Sequence, residues 1–126
     1  MTEIAAIAAC TILAALAVFQ ATLIAGVPIG RFAWGGQHEV LPPRLRVGSA
    51  VSIVLYAAFA FVIAERVGWV TLFGSAGFVQ VACWVLFGYF TLGIVMNGLS
   101  RSKPERGTMT PVSLVLAALV LVVALG

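Results

Sequence analysis

The residues best suited to chemistry in this sequence are a few polar side chains inside otherwise apolar segments. Gln20 lies in the first apolar run and Asn97 near the end of the third, both toward loops that are rich in arginine. Ser52, Tyr56 and Tyr89 add hydroxyl groups. Inside hydrocarbon an unpaired polar group is costly, so such side chains face other helices. The two amides therefore predict either a small polar pocket open to the cytoplasm or hydrogen bonds that join helices, and the second role is the commoner one.

A second candidate group lies in the first loop, where His38 and Glu39 stand between a Gly-Gly pair and a Pro-Pro pair. Together with Arg31, Arg44 and Arg46 they form the first-loop set, which could hold a proton or an anionic lipid headgroup. Zinc takes three or four ligands, so one histidine and one glutamate predict no metal site. No cofactor is expected either. The alternative is a solvated loop at the membrane interface.

Two cysteines, Cys10 and Cys83, lie at similar depth in the first and third apolar runs. A redox function would need a Cys-x-x-Cys pair or a neighbour that stabilises the thiolate, and neither is present. We expect two small apolar core residues. A structural disulfide is the alternative, because both cysteines would lie toward the oxidising side of the membrane.

Several catalytic and transport arrangements are missing from the sequence. There is no Ser-His-Asp set, no pair of neighbouring carboxylates and no phosphate-binding Gly-Lys loop, so we expect a protein that is not an enzyme. No charged residue or histidine lies in the middle of an apolar run, which is where ion-coupled transporters place such a group. The sequence therefore argues against ion-coupled transport.

Composition indicates which elements must carry these residues. The chain has 126 residues, of which 63% are hydrophobic and 9% are charged. Soluble domains have about 25% charged residues, and a small one has too little interior to hide so much apolar surface. The composition predicts an integral membrane protein in contact with the lipid bilayer. It excludes a soluble enzyme, a disordered tail and a nucleic-acid-binding domain.

Charged residues cluster along the chain, and the four apolar runs between the clusters predict four transmembrane helices in a single domain. The runs cover residues 4–26, 48–64, 76–99 and 111–126. A span needs about 20 residues, so the short second and fourth runs must stand upright or include flanking residues. Pro111 is expected in the first turn of the fourth helix. The predicted fold is an all-α four-helix bundle.

The basic residues predict the orientation of this bundle. Of the seven lysines and arginines, all except Arg66 fall in the first and third loops, which share one side of a four-helix chain. Loops rich in lysine and arginine stay in the cytoplasm. We therefore predict a cell-membrane protein whose N and C termini are both outside the cytoplasm. Its net charge of +3 then faces lipid headgroups rather than nucleic acid.

Short matching segments raise the alternative that the chain consists of two similar hairpins in a parallel repeat. Residues 9–13 resemble residues 82–86, and residues 51–55 resemble residues 112–116. Apolar helices also share short matching segments by chance, so the sequence alone does not decide whether the repeat is real. Small residues in the first and third helices predict that these two form the central pair. The second and fourth would then lie outside, with the fourth facing lipid or a partner.

Three classes of function remain open. The missing catalytic groups and the small loops favour a structural or accessory protein that forms a homo-oligomer or binds another membrane protein. A passive channel or small-molecule facilitator formed by an oligomer would need Gln20 and Asn97 to line a polar path. A binder of anionic lipid headgroups, or a membrane enzyme, would need the first-loop set to converge on one cavity.

Overall fold

The computed structural model describes all 126 residues and contains four long helices and no strand. The helices are α1 (Thr2–Ile24), α2 (Pro43–Arg66), α3 (Ala76–Gly98) and α4 (Lys103–Leu125). All four are long and apolar enough to cross a membrane. The chain is therefore a small multi-pass membrane protein with the all-α architecture that its composition predicts.

The two helices predicted from short apolar runs are longer than those runs. α2 begins at Pro43 rather than at residue 48, and α4 begins at Lys103 rather than at residue 111. A helix of this length extends about 35 Å, enough to cross a hydrocarbon core of about 30 Å. The charged residues do not mark the starts of these helices, because the long side chains of lysine and arginine in a first turn can reach the membrane–water interface. Pro43 and Pro104 also fit a first turn, where the missing N–H has no partner to lose.

Pro111 lies inside α4, so the prediction that it opens the helix is wrong. The helix starts two turns earlier, at a cap in which Ser102 Oγ accepts the N–H of Glu105 at 3.4 Å. Proline inside a membrane helix is tolerated where neighbouring helices and side chains satisfy the freed backbone groups. The charged segment before Pro111 is therefore part of the helix and not of a loop.

The helices form an up-and-down bundle in which α1 packs most closely on α2, and α3 on α4. α1 also packs against α4 and α2 against α3, whereas α1 and α3 hardly meet. The predicted central pair is therefore wrong. α4 is also not an outer helix, since it buries seven residues, more than any other helix, while Leu114 and Val115 on its other face are exposed. Small residues do not indicate which face of α1 is packed, because Ala6 and Ala9 are buried while Ala14 and Ala15 are exposed.

The bundle has two ends of different character. The basic end carries the α1–α2 loop (residues 25–42) and the α3–α4 loop (residues 99–102), and the terminal end carries both termini and the α2–α3 loop. The main core fills the half nearer the terminal end. There Arg66 Nη2 and Gln80 Nε2 donate to the carbonyl of Ala124, at 3.2 and 3.3 Å, which ties α2 and α3 to the last turn of α4.

Both cysteines are free thiols in this core. Cys83 is fully buried within it, and Cys10 is partly buried against it.

The α1–α2 and α3–α4 hairpins are the closest-packed pairs of the bundle, but a repeat between their sequences stays a prediction.

Candidate ligand-binding cavity

The α1–α2 loop folds over the basic end as two short 3-10 turns, Gly30–Phe32 and Trp34–Gly36. The N–H of Gly30 donates to the carbonyl of Glu39 at 2.8 Å, which closes the loop on itself. Position 30 requires glycine, because a Cβ there would collide with the carbonyl oxygen of His38. The loop is thus a folded cap on the bundle, and we refer to residues 30–36 as the cap.

Trp34 holds the cap against α2 in a strained conformation. Its φ of 52° lies in the left-handed region, which is unfavourable for a bulky residue. The indole Nε1–H donates to Ser49 Oγ at 3.2 Å, and Ser49 is fully buried. The ring also packs on Gly48, where a Cβ would approach it to 2.8 Å. These contacts place the indole at the basic end, between the cap and α2.

Glu105, in the first turn of α4, holds the other side of the cap. Its Oε2 accepts the N–H of Gly35 at 3.3 Å, and Ser102 Oγ nearby donates to the carbonyl of Arg31. Glu105 is only 7% exposed. In the sequence Glu105 falls between the third and fourth apolar runs, outside the predicted spans. The Ser-x-x-Glu spacing of residues 102–105, a helix-start signal, was the available sign that it belongs to a helix.

A cavity of about 460 Å³ lies between the four helices and the cap. This volume is within the range of small-molecule sites, which run from about 300 to 1,000 Å³. Most of the wall is apolar. The polar side chains that line it are Gln20, Ser52, Tyr56, Asn97, Glu105 and Ser113. Aromatic rings form much of the remaining wall, and they belong to Phe19, Phe32, Trp34, Tyr89 and Phe90.

The two amides singled out from the sequence, Gln20 and Asn97, both line this cavity but have different surroundings. Asn97 Nδ2 donates to Ser113 Oγ at 2.9 Å and so joins α3 to α4. Gln20 is 8% exposed, and its buried Oε1 accepts no hydrogen bond from the protein. A buried acceptor left without a donor costs about 1–3 kcal/mol. Asn97 therefore joins α3 to α4 through a hydrogen bond, while the Oε1 acceptor of Gln20 stays unpaired.

Of the neighbouring helix pairs that enclose the cavity, α2 and α3 pack least closely. Nearer the terminal end these helices meet through Phe59, whose ring centroid lies 5.1 Å from that of Tyr89 and 5.8 Å from that of Phe90. Toward the basic end, the lining residues Leu92 and Met96 of α3 are 61% and 63% exposed. Because Leu92 and Met96 are exposed to the lipid chains in a membrane, we expect the cavity to open toward the bilayer at this edge.

The first-loop set does not line this cavity. Glu39 and Arg44 are exposed, and His38 is half-buried. Arg46 turns back on its own loop, where its Nε donates to the carbonyl of Leu41 at 2.8 Å.

Arg31, the fifth member of the set, lies on the outer side of the cap. Its guanidinium stacks over the ring of Phe32 at 5.0 Å from the centroid. It borders a separate polar pocket together with Arg101 and Ser102. The first-loop set therefore lies outside the cavity between the helices, and a headgroup site built from it stays a prediction.

No group of three or more His, Cys, Asp or Glu side chains in the chain could hold a metal ion. No model of a known protein family matches the chain, and no curated protein or solved structure shows significant similarity to it.

Proposed function

We propose that the protein binds a small amphipathic molecule that enters the cavity from the bilayer, as a binding or carrier protein. The observation that carries this proposal is the cavity of about 460 Å³, which combines a polar layer at Gln20 and Asn97 with an apolar wall. Ligand sites typically have this character, since a few placed polar groups orient a molecule held by apolar surface. The polar layer would bind the head of the ligand. The apolar wall and the opening would hold its chain.

The packing of the terminal half supports binding rather than passage. Leu13, Cys83, Leu116 and Val120 fill the centre of the bundle there, and each is at most 1% exposed. A passive channel through one chain would need polar groups to continue through this half. The cavity instead ends against the apolar core, so a facilitator would have to conduct along a path between copies.

The hydroxyl groups in the cavity support a role without catalysis. Ser52 Oγ donates to the carbonyl of Gly48 at 3.1 Å, and Ser113 Oγ accepts from Asn97. A nucleophilic serine needs a neighbouring base to remove its proton. No histidine or lysine lines the cavity, and the Glu105 carboxylate, which does line it, makes no hydrogen bond with Ser52 or Ser113. We therefore propose that the protein is not an enzyme.

A matched pair of phenylalanine substitutions on α2 tests the binding proposal. Ser52→Phe puts a ring into the cavity, whereas Ala50→Phe puts the same ring on an exposed face of the same helix. The protein would be placed in phosphatidylcholine nanodiscs with Trp69→Phe and Trp84→Phe, so that only Trp34 fluoresces. Undecanol with a terminal bromine should quench the fluorescence of Trp34, and the quenching should saturate as its concentration rises. Ser52→Phe should remove the saturable part and Ala50→Phe should not; quenching that never saturates would reject the cavity as a site.

Self-association is the second proposal, and the outer face of α1 favours it. Exposed residues recur there at alternating spacings of three and four, most of them small, which lets two helices approach closely in lipid. They are Thr11, Ala14, Val18 and Ala21, followed by Ala25 at the C-cap of the helix. The test is the number of copies per nanodisc, counted by single-molecule photobleaching. Ala14→Phe with Ala21→Phe should reduce it to one, and Ala57→Phe on the exposed face of α2 should not. A count of one for the unmodified protein would refute self-association.

We also propose that the basic end faces the cytoplasm of a cell membrane. The support is the distribution of charge, because every basic residue except Arg66 lies in or next to the loops at that end. Short loops with lysine and arginine are retained on the cytoplasmic side. The cavity would then open into the cytoplasmic leaflet.

A further inference from the structure

We infer that the ligand of this cavity is a hydrophobic amine, whose protonated head is bound by Glu105 and Gln20. The inference rests on the proposed function, because it names the chemical class of the molecule that the cavity would take. Three observations carry it: unpaired acceptors, an uncompensated carboxylate and a wall of aromatic rings.

The first observation concerns two hydrogen-bond acceptors in the cavity, the side chains of Gln20 and Glu105. Gln20 Oε1 is buried and accepts no hydrogen bond. The Glu105 carboxylate accepts a hydrogen bond only from the N–H of Gly35, through Oε2. Nearly all buried polar groups in proteins have a partner, and those without one destabilise the fold. Both side chains line the same cavity, so a ligand head with several N–H groups would supply the donors that they lack.

The second observation is the charge of Glu105. It is the only charged residue among those that line the cavity, and it is 7% exposed. A carboxylate taken out of water is costly unless it is paired, and the N-terminal turn of α4 offsets only part of that cost. Arg31 and Arg101 border the pocket on the other side of the cap and do not line the cavity. The positive charge that would balance Glu105 inside the cavity is therefore left for a ligand to supply.

The third observation is the aromatic lining. The faces of aromatic rings attract organic cations, most strongly where water is excluded. The same rings bury an alkyl chain well, and Leu92 and Met96 extend the apolar surface to the opening. A fatty acid would instead meet the like charge of Glu105, and an alcohol would leave that charge unbalanced. Six rings line the cavity, those of Phe19, Phe32, Trp34, Tyr56, Tyr89 and Phe90.

The test compares three probes that share one chain and differ in the head group. Terminally brominated undecylamine, undecanol and undecanoate would be titrated into the single-tryptophan protein in phosphatidylcholine nanodiscs. The titrations would be made at about pH 8.5, where an alkylamine is still protonated and a carboxylic acid is ionised even after the bilayer has raised its pKa. Quenching of Trp34 should give an apparent affinity for the amine at least about tenfold above that for the alcohol, the size of one charge-assisted hydrogen bond. Undecanoate should bind most weakly.

Two carboxylate substitutions separate the role of Glu105 from a general effect of charge. Glu105→Gln keeps the size of the side chain and its acceptor for Gly35, and should weaken amine binding about tenfold. Its affinity for undecanol should stay within about twofold of the original. Glu39→Gln removes an exposed carboxylate at the same end and should change neither affinity.

The outcomes distinguish this inference from the function on which it rests. Equal affinities for the amine and the alcohol would overturn the amine inference and leave binding of an amphipathic molecule intact. The same holds if Glu105→Gln and Glu39→Gln have equal effects. Failure of all three probes to give saturable quenching would overturn the proposed function itself. The comparison of probes uses unmodified Glu105, so it decides the question even if Glu105→Gln does not fold.

Discussion

Glu105 Oε2 accepts a hydrogen bond from the backbone N–H of Gly35 at 3.3 Å, across a separation of 70 residues in the chain. This contact joins the first turn of α4 to the cap. The only charged side chain in the cavity wall is thereby also a support of the loop that closes the basic end. Substitutions in the cap should therefore change the cavity as well as the stability of the loop.

Gly36→Ala should destabilise the protein more than Gly35→Ala. Both glycines have a left-handed φ, of +72° and +77°, which costs an alanine about 1–2 kcal/mol. A Cβ at Gly36 would also collide with the side chain of Ser102, whereas a Cβ at Gly35 meets nothing within 4 Å. In thermal unfolding in detergent, both midpoints should fall below that of the unmodified protein, with Gly36→Ala lower. Equal midpoints would mean that the cap does not pack on Ser102 as described.

Ser49→Ala should release Trp34 from its strained position. The substitution leaves the indole N–H without its acceptor, and we expect a loss of about 1–3 kcal/mol in the free energy of unfolding. Ser52→Ala is the matched control, because that hydroxyl bonds only to the backbone of its own helix. The measurements are the unfolding midpoint and the emission maximum of Trp34. If Ser52→Ala had the larger effect, the anchoring of the cap through Ser49 would be refuted.

The pairing of Asn97 with Ser113 should appear as a coupling energy between α3 and α4. A double-mutant cycle with Asn97→Leu and Ser113→Ala isolates it, and interhelical hydrogen bonds in membranes contribute about 0.6–1.7 kcal/mol. The free energies would come from reversible unfolding in mixed micelles. A second cycle of Asn97→Leu with Thr91→Ala should give no coupling, since Thr91 bonds to the carbonyl of Phe87 in its own helix. A coupling of zero in the first cycle would contradict the contact.

The orientation can be read from the side on which introduced cysteines react. Two exposed positions are suitable for this test, Gln37 just after the cap and Leu72 in the α2–α3 loop. In a background of Cys10→Ala and Cys83→Ala, a membrane-impermeant maleimide added to intact cells should label Leu72→Cys and not Gln37→Cys. Labelling of both positions after the cells are broken is the control. The reverse result on intact cells would place the basic end outside.

Composition and the positions of the charged residues were enough to predict the number of spans and the fold class. In lipid every backbone polar group must be satisfied within the segment, so an apolar run of about 20 residues becomes a helix. Because depth follows residue number along a helix, the sequence also placed Gln20 and Asn97 toward the same end. It misplaced the starts of α2 and α4, since charged residues and the prolines at positions 43 and 104 are compatible with a first helical turn.

The neighbours of each helix, and the side chains that share the cavity, were decided only by the tertiary structure. Apolar residues cover all faces of a membrane helix, so no apolar stripe in the sequence marks the packed side. The cap depends on contacts such as Trp34 to Ser49 and Gly35 to Glu105, which join residues 15 and 70 positions apart. In the sequence Glu105 is one more charge between two spans. Only the folding of the cap onto α4 buries it and makes it part of a binding cavity.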